Sequence, residues 1–287
     1  MTSAAEAASG ASLPRLAPVG DRRLVTRIST FRRGLASQVE VVLALILRET
    51  RTRFGRNRLG YLWALIEPLA FTFTFYAVLI IANRPRPPGM GMFSFIATGV
   101  LPYTLFSNTV GRVADAVASN KAMLYYPQVR PIELVIARAV LEAATFIAVF
   151  VLIMAGDALV SQRLDLEDPL LVIAGLLAAS ALGTGFGLIF CALGQVSTLA
   201  DRIRGPLMRP LFWVSGAFFT AESLPDNARD AMLANPVLHV TELVRAGWFS
   251  SHETTYVDLG YVLWWIGGLM LVGLLLERWV RRRIDLT

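Results

Sequence analysis

Long apolar runs are the feature that most limits what this chain can fold into. A helix that crosses the hydrocarbon core of a bilayer needs about 20 mostly apolar residues. The sequence has six apolar runs, of which the fifth is short: residues 62–81, 93–113, 132–155, 170–193, 207–220 and 257–276. Only 17% of the residues are charged, against roughly 25% in soluble domains. These observations predict an all-α polytopic membrane protein with six transmembrane helices.

The basic residues lie mainly on one side of these runs. If both termini are cytoplasmic, 22 of the 27 lysines and arginines fall in cytoplasmic segments and five fall in the opposite loops. Short cytoplasmic segments of membrane proteins carry such an excess. The pattern predicts cytoplasmic N- and C-termini. It also argues against nucleic-acid binding, because the net charge of +6 is not gathered on one groove-binding face.

The first 58 residues precede the apolar runs. Residues 1–33 lack an apolar signal segment, and their composition predicts a basic, mostly disordered cytoplasmic tail. Residues 34–58 have the periodicity of an amphipathic helix lying in the membrane interface; plain positively charged flanking sequence is the alternative. The candidate interface residues are Arg48, Glu49, Arg51 and Arg53.

Three further stretches do not fit simple spans or loops. Residues 114–138 are too polar to span and too helical in pattern for a loop, which predicts a short cytoplasmic helix. Residues 225–250 contain two short helix patterns on either side of Asn235, which predict a broken, half-immersed hairpin on the far side of the membrane. Glu67 lies early in the first span, where a carboxylate pairs with an arginine or faces a wet cavity.

No catalytic centre is visible in the sequence. The single lysine, Lys121, is followed by alanine, so the chain has no phosphate-binding loop of the GxxxxGK[ST] type. Its two histidines, His239 and His252, lack the spacing of a helical zinc pair. The chain is therefore expected to be no enzyme and to hold no cofactor or metal. Any nucleotide-driven activity must use an ATPase on another chain.

One run resembles a known family. The stretch LRETRTRFGRNRLGYLWALIEP, Leu47 to Pro68, resembles the signature of the transmembrane (permease) subunits of ABC-2 type polysaccharide exporters, most closely the capsular polysaccharide export family. O-antigen and teichoic-acid exporters share a looser form. The resemblance implies an ABC-2 (type V) exporter architecture. Its interface helix, coupling helix and periplasmic re-entrant helices correspond here to residues 34–58, 114–130 and 225–250, and its transmembrane domain to residues 59–287.

The resemblance also implies a function. The chain is expected to form a homodimer in the bacterial inner membrane, surrounded by membrane lipid, with two copies of an ABC ATPase that bind ATP and Mg. The complex would move an anionic, lipid-linked capsular polysaccharide outward, toward a periplasmic or outer-membrane partner. The candidate ATPase contacts are Asp115, Asn120, Lys121, Tyr125 and Tyr126. Simple adsorption of this segment to the membrane is the alternative.

The substrate path is expected to use aromatic rings and charges. Aromatic rings offer apolar faces to sugar C–H groups, although aromatics at span ends are ordinarily interface anchors. The candidate path residues are Glu67, Tyr76, Arg84, Arg86, Tyr103 and Phe106.

Two other functions stay open. An ion-coupled secondary transporter using Glu67 would predict an inverted repeat and paired charges within the membrane, and neither is evident in the sequence. A non-transporting assembly protein, such as a membrane anchor for a glycan synthase, is the second.

Overall fold

The computed structural model describes residues 38–52, 59–85, 87–126, 129–252 and 255–284. The chain divides into two units, Met1–Glu40 and Val41–Thr287, and the first is described only at residues 38–40. Throughout these ranges the regular structure is helical, with no strand. The prediction of an all-α protein is therefore confirmed for the described residues.

Nine α-helices and two 3₁₀ segments make up the described structure. The α-helices are α1 (38–52), α2 (Leu59–Ile81), α3 (Met92–Ala114), α4 (Pro131–Ser161), α5 (Pro169–Gly194), α6 (Leu199–Trp213), α7 (Asp226–Leu233), α8 (Pro236–Trp248) and α9 (Leu259–Ile284). The 3₁₀ segments are Ala118–Tyr125, between α3 and α4, and Ala221–Ser223, between α6 and α7.

The centre of the fold is the packing of α3 against α5. A Cβ atom on Gly183 of α5 would lie 2.6 Å from the carbonyl oxygen of Phe106 on α3, and one on Gly187 would lie 2.6 Å from the Cβ of Val113. The backbones therefore approach closely only because these positions lack side chains. The order of the contacts shows that α3 and α5 run in the same direction.

We define two ends of the bundle from these contacts. Arg112, near the end of α3, pairs with Glu142 of α4 at 4.0 Å. At the opposite end Ser94, near the start of α3, hydrogen-bonds to Asp157 of α4. Helices α3 and α4 are thus antiparallel. The near end holds the segment Ala118–Tyr125, and the far end holds the connections from α2 to α3 and from α4 to α5.

Four of the described helices are long and apolar enough to cross a membrane: Leu62–Ile81, Pro131–Ser161, Pro169–Gly194 and Leu259–Arg283. Helix α3 has the length of a span but a more polar composition, because it lies inside the bundle rather than against lipid. Its buried threonines satisfy their hydroxyls locally: Thr98 donates to the Ser94 carbonyl at 2.9 Å and Thr109 to that of Leu105 at 2.7 Å.

The region predicted as the fifth span, residues 207–220, has different bounds in the structure. Helix α6 begins at Leu199, within the stretch that the sequence pattern assigns to a connection, and ends at Trp213. The polar first half of α6 resembles a loop in sequence, because it contains arginines and a proline. Residues 214–220 form an irregular reversal instead of continuing the helix.

The predicted interface helix is described over residues 38–52, whereas residues 34–37 and 53–58 lie outside the described ranges. Leu45 is buried, and Val42 and Ile46 pack beside it. Leu43, expected on the same apolar face, is exposed. A glycine near the start of the first span, Gly60, favours a helix break there, but it lies inside the first turn of α2.

Candidate functional site

The segment between α3 and α4 presents an exposed surface at the near end. Ala118–Tyr125 is a distorted 3₁₀ helix in which Asn120 has non-helical dihedral angles. Lys121, Tyr125 and Tyr126 are exposed, with Tyr125 at 88% and Tyr126 at 60% of full accessibility. Exposed tyrosines beside a cation are typical of protein docking surfaces. Of the five predicted contact residues, these three form the outward face.

Asn120 lies behind that face rather than on it. Its side chain is buried at 5% exposure. The Arg48 guanidinium of α1 donates to the Asn120 Oδ1 at 2.9 Å, and the Asn120 Nδ2 donates to the Ala116 carbonyl at 3.0 Å. Arg48, predicted on the polar face of α1, therefore fastens α1 to the segment.

Ion pairs join the same region to three further helices. Asp115 accepts from the Arg204 Nη1 of α6 at 2.8 Å. Glu49 of α1 pairs with Arg138 of α4 at 2.9 Å, and Arg138 also donates to the Arg112 carbonyl at the end of α3. A cation is favourable at that helix terminus. Hydrogen bonds and ion pairs thus connect this region to α1, α3, α4 and α6. Arg51 is exposed, and Arg53 lies outside the described residues.

At the far end, α8 stabilises the irregular reversal formed by residues 214–220. Non-helical backbone at membrane depth requires partners for its polar groups. Two side chains of α8 and that of its N-terminal cap, Asn235, provide them. Asn235 donates to the Val214 carbonyl at 3.1 Å, Thr241 to that of Ser215, and Arg245 to those of Ala217 at 3.2 Å and Phe219 at 2.6 Å. Gly216 adopts a φ of 74°, which a side chain would strain.

Arg245 is fully buried and is the centre of a charged cluster. Its guanidinium pairs with Glu242 at 3.2 Å and lies 4.2 Å from the centroid of the Phe95 ring on α3. Glu242 also pairs with His252 at 2.9 Å. A Cβ on Gly99 would lie 2.6 Å from the Arg245 Nη2, so the glycine provides the space for the guanidinium. Every residue of α8 is buried.

The reversal forms one wall of an open cleft of about 840 Å³ at the far end. The rest is formed by α2, the connection from α2 to α3, the first turn of α3, the end of α6 and the Ala221–Ser223 segment. The aromatic rings of Phe75, Trp213 and Phe218 line it together with the charged residues Arg84 and Glu222. The volume falls within the roughly 300–1,000 Å³ of ligand pockets.

Arg84 alone of the described path candidates lines this cleft. Tyr103 and Phe106 are buried in the core, and the Tyr103 hydroxyl donates to the Met208 carbonyl of α6. Tyr76 is half-buried and packs edge-on against Phe93. Glu67 is exposed with no hydrogen bond or ion pair to the described part of the chain. Arg86 lies outside the described residues. The role of these residues in a path stays a prediction.

The buried cluster of Arg245, Glu242 and His252 was not predicted from the sequence. In the sequence, Arg245 is one of five basic residues assigned to the far side, and His252 is one of two histidines that lack the spacing of a zinc pair. One signal was present: a glutamate and an arginine three residues apart in a short, otherwise mostly apolar helix pattern. Charges in such a place are buried only when paired.

Comparison with known proteins gives consistent matches. Residues 40–249 match the family model described as ABC-2 type transporter. The chain is 32% identical to the polysialic acid transport protein KpsM of Escherichia coli over 247 residues, 86% of this chain and 96% of that protein. It is 30% identical to the capsule polysaccharide export inner-membrane protein BexB of Haemophilus influenzae over 250 residues, 87% and 94% of the two chains. A match to the O-antigen export system permease protein RfbA of Myxococcus xanthus, 27% identical, covers 84 residues, 29% and 32% of the two chains.

Proposed function

Because the chain belongs to the ABC-2 type transporter family, we propose that it is the membrane subunit of an ATP-driven exporter that moves lipid-linked capsular polysaccharide across the bacterial inner membrane. The observation that carries the proposal is similarity to capsule export proteins over almost their whole length. The O-antigen alternative has less support, since that match covers only 29% of this chain.

The energy source is a separate ABC ATPase, which binds ATP and Mg. The exposed face of Lys121, Tyr125 and Tyr126 is the surface that docks to it. Two copies of this chain, each bound to one ATPase, form the translocation path. ATP binding changes the path only if the ATPase contacts the two conformations differently. Two contacts support such a transfer of motion: the hydrogen bond from Arg48 of α1 to Asn120 of the segment, and the ion pair of Arg204 of α6 with Asp115, which precedes the segment.

The directions of the described helices fit a chain that passes six times through the membrane. Helices α2, α4, α5 and α9 are the long apolar ones, and the 23 residues of α3 extend about 34 Å at roughly 1.5 Å per residue. Helix α6, with 15 residues, extends only about 22 Å, so the reversal and α7–α8 complete that pass as a re-entrant hairpin on the periplasmic side. The 22 basic residues that the sequence pattern assigns to cytoplasmic segments favour a cytoplasmic position for both termini.

Reconstituted vesicles test this function. The complex of this chain with its partner ATPase should move capsular polysaccharide into the lumen of inside-out vesicles, and omission of ATP or of the ATPase should stop transport. Transport driven by a proton gradient without ATP would favour the ion-coupled alternative. Stable association with a glycan synthase and no transport under either condition would favour the assembly protein.

Replacing both Lys121 and Tyr125 with alanine should weaken ATPase binding. Both side chains are exposed, so the change removes docking contacts and leaves the core intact. Loss of an aromatic anchor and a charge should cost about 1–3 kcal/mol of binding free energy, roughly a 5- to 150-fold rise in Kd. Pull-down of the purified ATPase and the stimulated ATPase rate measure it.

The matched control is Arg282→Ala, because Arg282 is an exposed basic residue of the same end of the bundle but lies on α9. It should bind the ATPase as the unmodified chain does. Unchanged ATPase binding and stimulation in the Lys121 and Tyr125 double variant would sink the assignment of this face as the docking surface.

A further inference from the structure

The far-side arginines differ in whether they have an acidic partner. Three of the four within the described residues are paired: Arg163 with Asp165 at 4.0 Å, Arg229 with Asp226 at 2.8 Å and Arg245 with Glu242 at 3.2 Å. The fourth, Arg84, is exposed and its guanidinium has no hydrogen bond or ion pair with any described residue. Within the described part of the chain, no acidic group therefore neutralises this guanidinium.

Arg84 lines the same cleft as a cluster of partly exposed aromatic rings. The Phe75 and Phe218 centroids lie 4.7 Å apart, and those of Trp213 and Phe218 lie 5.4 Å apart. Trp213 is 60% exposed, so its indole ring is accessible to a ligand. Aromatic faces suit the C–H faces of pyranose rings, and the indole N–H adds a polar edge.

The cleft also contains polar groups that can bind sugar hydroxyls. Glu222, which lines the cleft beside Thr220 and Ser223, is exposed and forms no side-chain hydrogen bond or ion pair within the described chain. A carboxylate accepts hydrogen bonds from sugar hydroxyls and repels anionic groups, so an acidic sugar would place its hydroxyls at Glu222 and its carboxylate at Arg84. The cleft thus combines one cation, one carboxylate and several aromatic rings. Together these groups match a ligand that carries hydroxyl groups and, at other positions, carboxylates.

We propose that this cleft binds a short segment of an acidic glycan, with pyranose rings against Phe75, Trp213 and Phe218 and a sugar carboxylate on Arg84. Glu222 accepts hydrogen bonds from the sugar hydroxyls. The cleft thereby discriminates acidic from neutral polymers. This inference rests on the proposed function, because it concerns the glycan that the complex exports.

Binding of defined oligosaccharides tests the proposal. The complete complex with its ATPase is placed in nanodiscs of zwitterionic lipid, without ATP, and titrated with a short oligomer of sialic acid or with the same oligomer after reduction of its carboxylates to alcohols. The acidic oligomer should bind about 10-fold more tightly, as expected for one charge-assisted hydrogen bond. This preference should diminish as salt screens the exposed charge.

Arg84→Gln should abolish the preference and leave binding of the reduced oligomer unchanged. Arg163→Gln is the matched control, because Arg163 is also an exposed far-side arginine but does not line the cleft; it should keep the preference. Trp213→Ala should weaken the binding of both oligomers, because it removes a surface against which the sugar rings stack.

Three results would overturn the inference: no preference in the unmodified complex, an intact preference in Arg84→Gln, or an equal loss in the Arg163 control. A fourth is loss of phosphatidylglycerol binding in Arg84→Gln with unchanged oligomer binding, which would make the cleft a lipid site. Since binding is measured without ATP, a complex that prefers the acidic oligomer but drives no export contradicts only the proposed function. Export without charge preference contradicts only the inference.

Discussion

Replacement of Arg245 with methionine should strongly destabilise the protein. The guanidinium is fully buried, pairs with Glu242 and donates to two carbonyls of the reversal. Removing one partner of a buried ion pair costs about 3–5 kcal/mol, because the remaining charge is left uncompensated. A large fall in the thermal midpoint of the purified complex, and low accumulation in the membrane, are the expected results.

Two variants make this prediction specific. Arg245→Lys keeps the charge but not the planar donor fork, so its midpoint should lie between those of the unmodified chain and Arg245→Met. Arg163→Met removes an exposed arginine 4.0 Å from its acidic partner, and exposed pairs contribute about 0–1 kcal/mol. If Arg245→Met melts at the temperature of the Arg163 variant, the cluster does not hold the reversal in place.

Gly183→Ala should also destabilise the fold, by separating the two central helices. The added methyl group would lie 2.6 Å from the Phe106 carbonyl oxygen and 2.8 Å from the Thr109 Cβ. Both are parts of α3 that move only with the helix. Overpacking of this kind costs about 1–3 kcal/mol, which the same thermal measurement resolves.

Gly156→Ala is the matched control for that change. Gly156 is an exposed residue of α4, and a Cβ there would meet no atom within 4 Å. The same mutation should therefore be neutral or stabilising, by up to about 1 kcal/mol, because alanine is the better helix former. Equal effects at both positions would contradict close packing of α3 and α5 as the cause.

The parts of the fold that follow from composition and periodicity were predictable from sequence. Apolar runs located α2, α4, α5 and α9, because lipid-facing helices must be apolar along their length. The glycines at 183, 185 and 187 of α5 are a further signal in the sequence, because small residues permit close helix packing. Asn235 and Pro236 marked the boundary between α7 and α8, since an asparagine cap followed by proline begins a helix.

What the sequence did not reveal depends on contacts between distant residues. Asn120 reads as a surface residue of the near-end segment, and only the position of Arg48 on α1 explains its burial. The cleft is likewise invisible in sequence, because Phe75, Arg84 and Trp213 are brought together by the reversal after α6. The reversal in turn needs hydrogen-bond donors from α8, and no local sequence pattern identifies these donors.

The burial of α8 has a consequence for how the protein is made. Its 13 residues extend about 20 Å, and they include a glutamate and an arginine that bilayer insertion disfavours. The helix therefore has no stable place in lipid before α3 and α5 have assembled around its binding position. We expect the hairpin of α7 and α8 to dock late, after earlier helices have inserted. A nascent chain stopped before α8 should lack a protected reversal and be a substrate for membrane quality-control proteases.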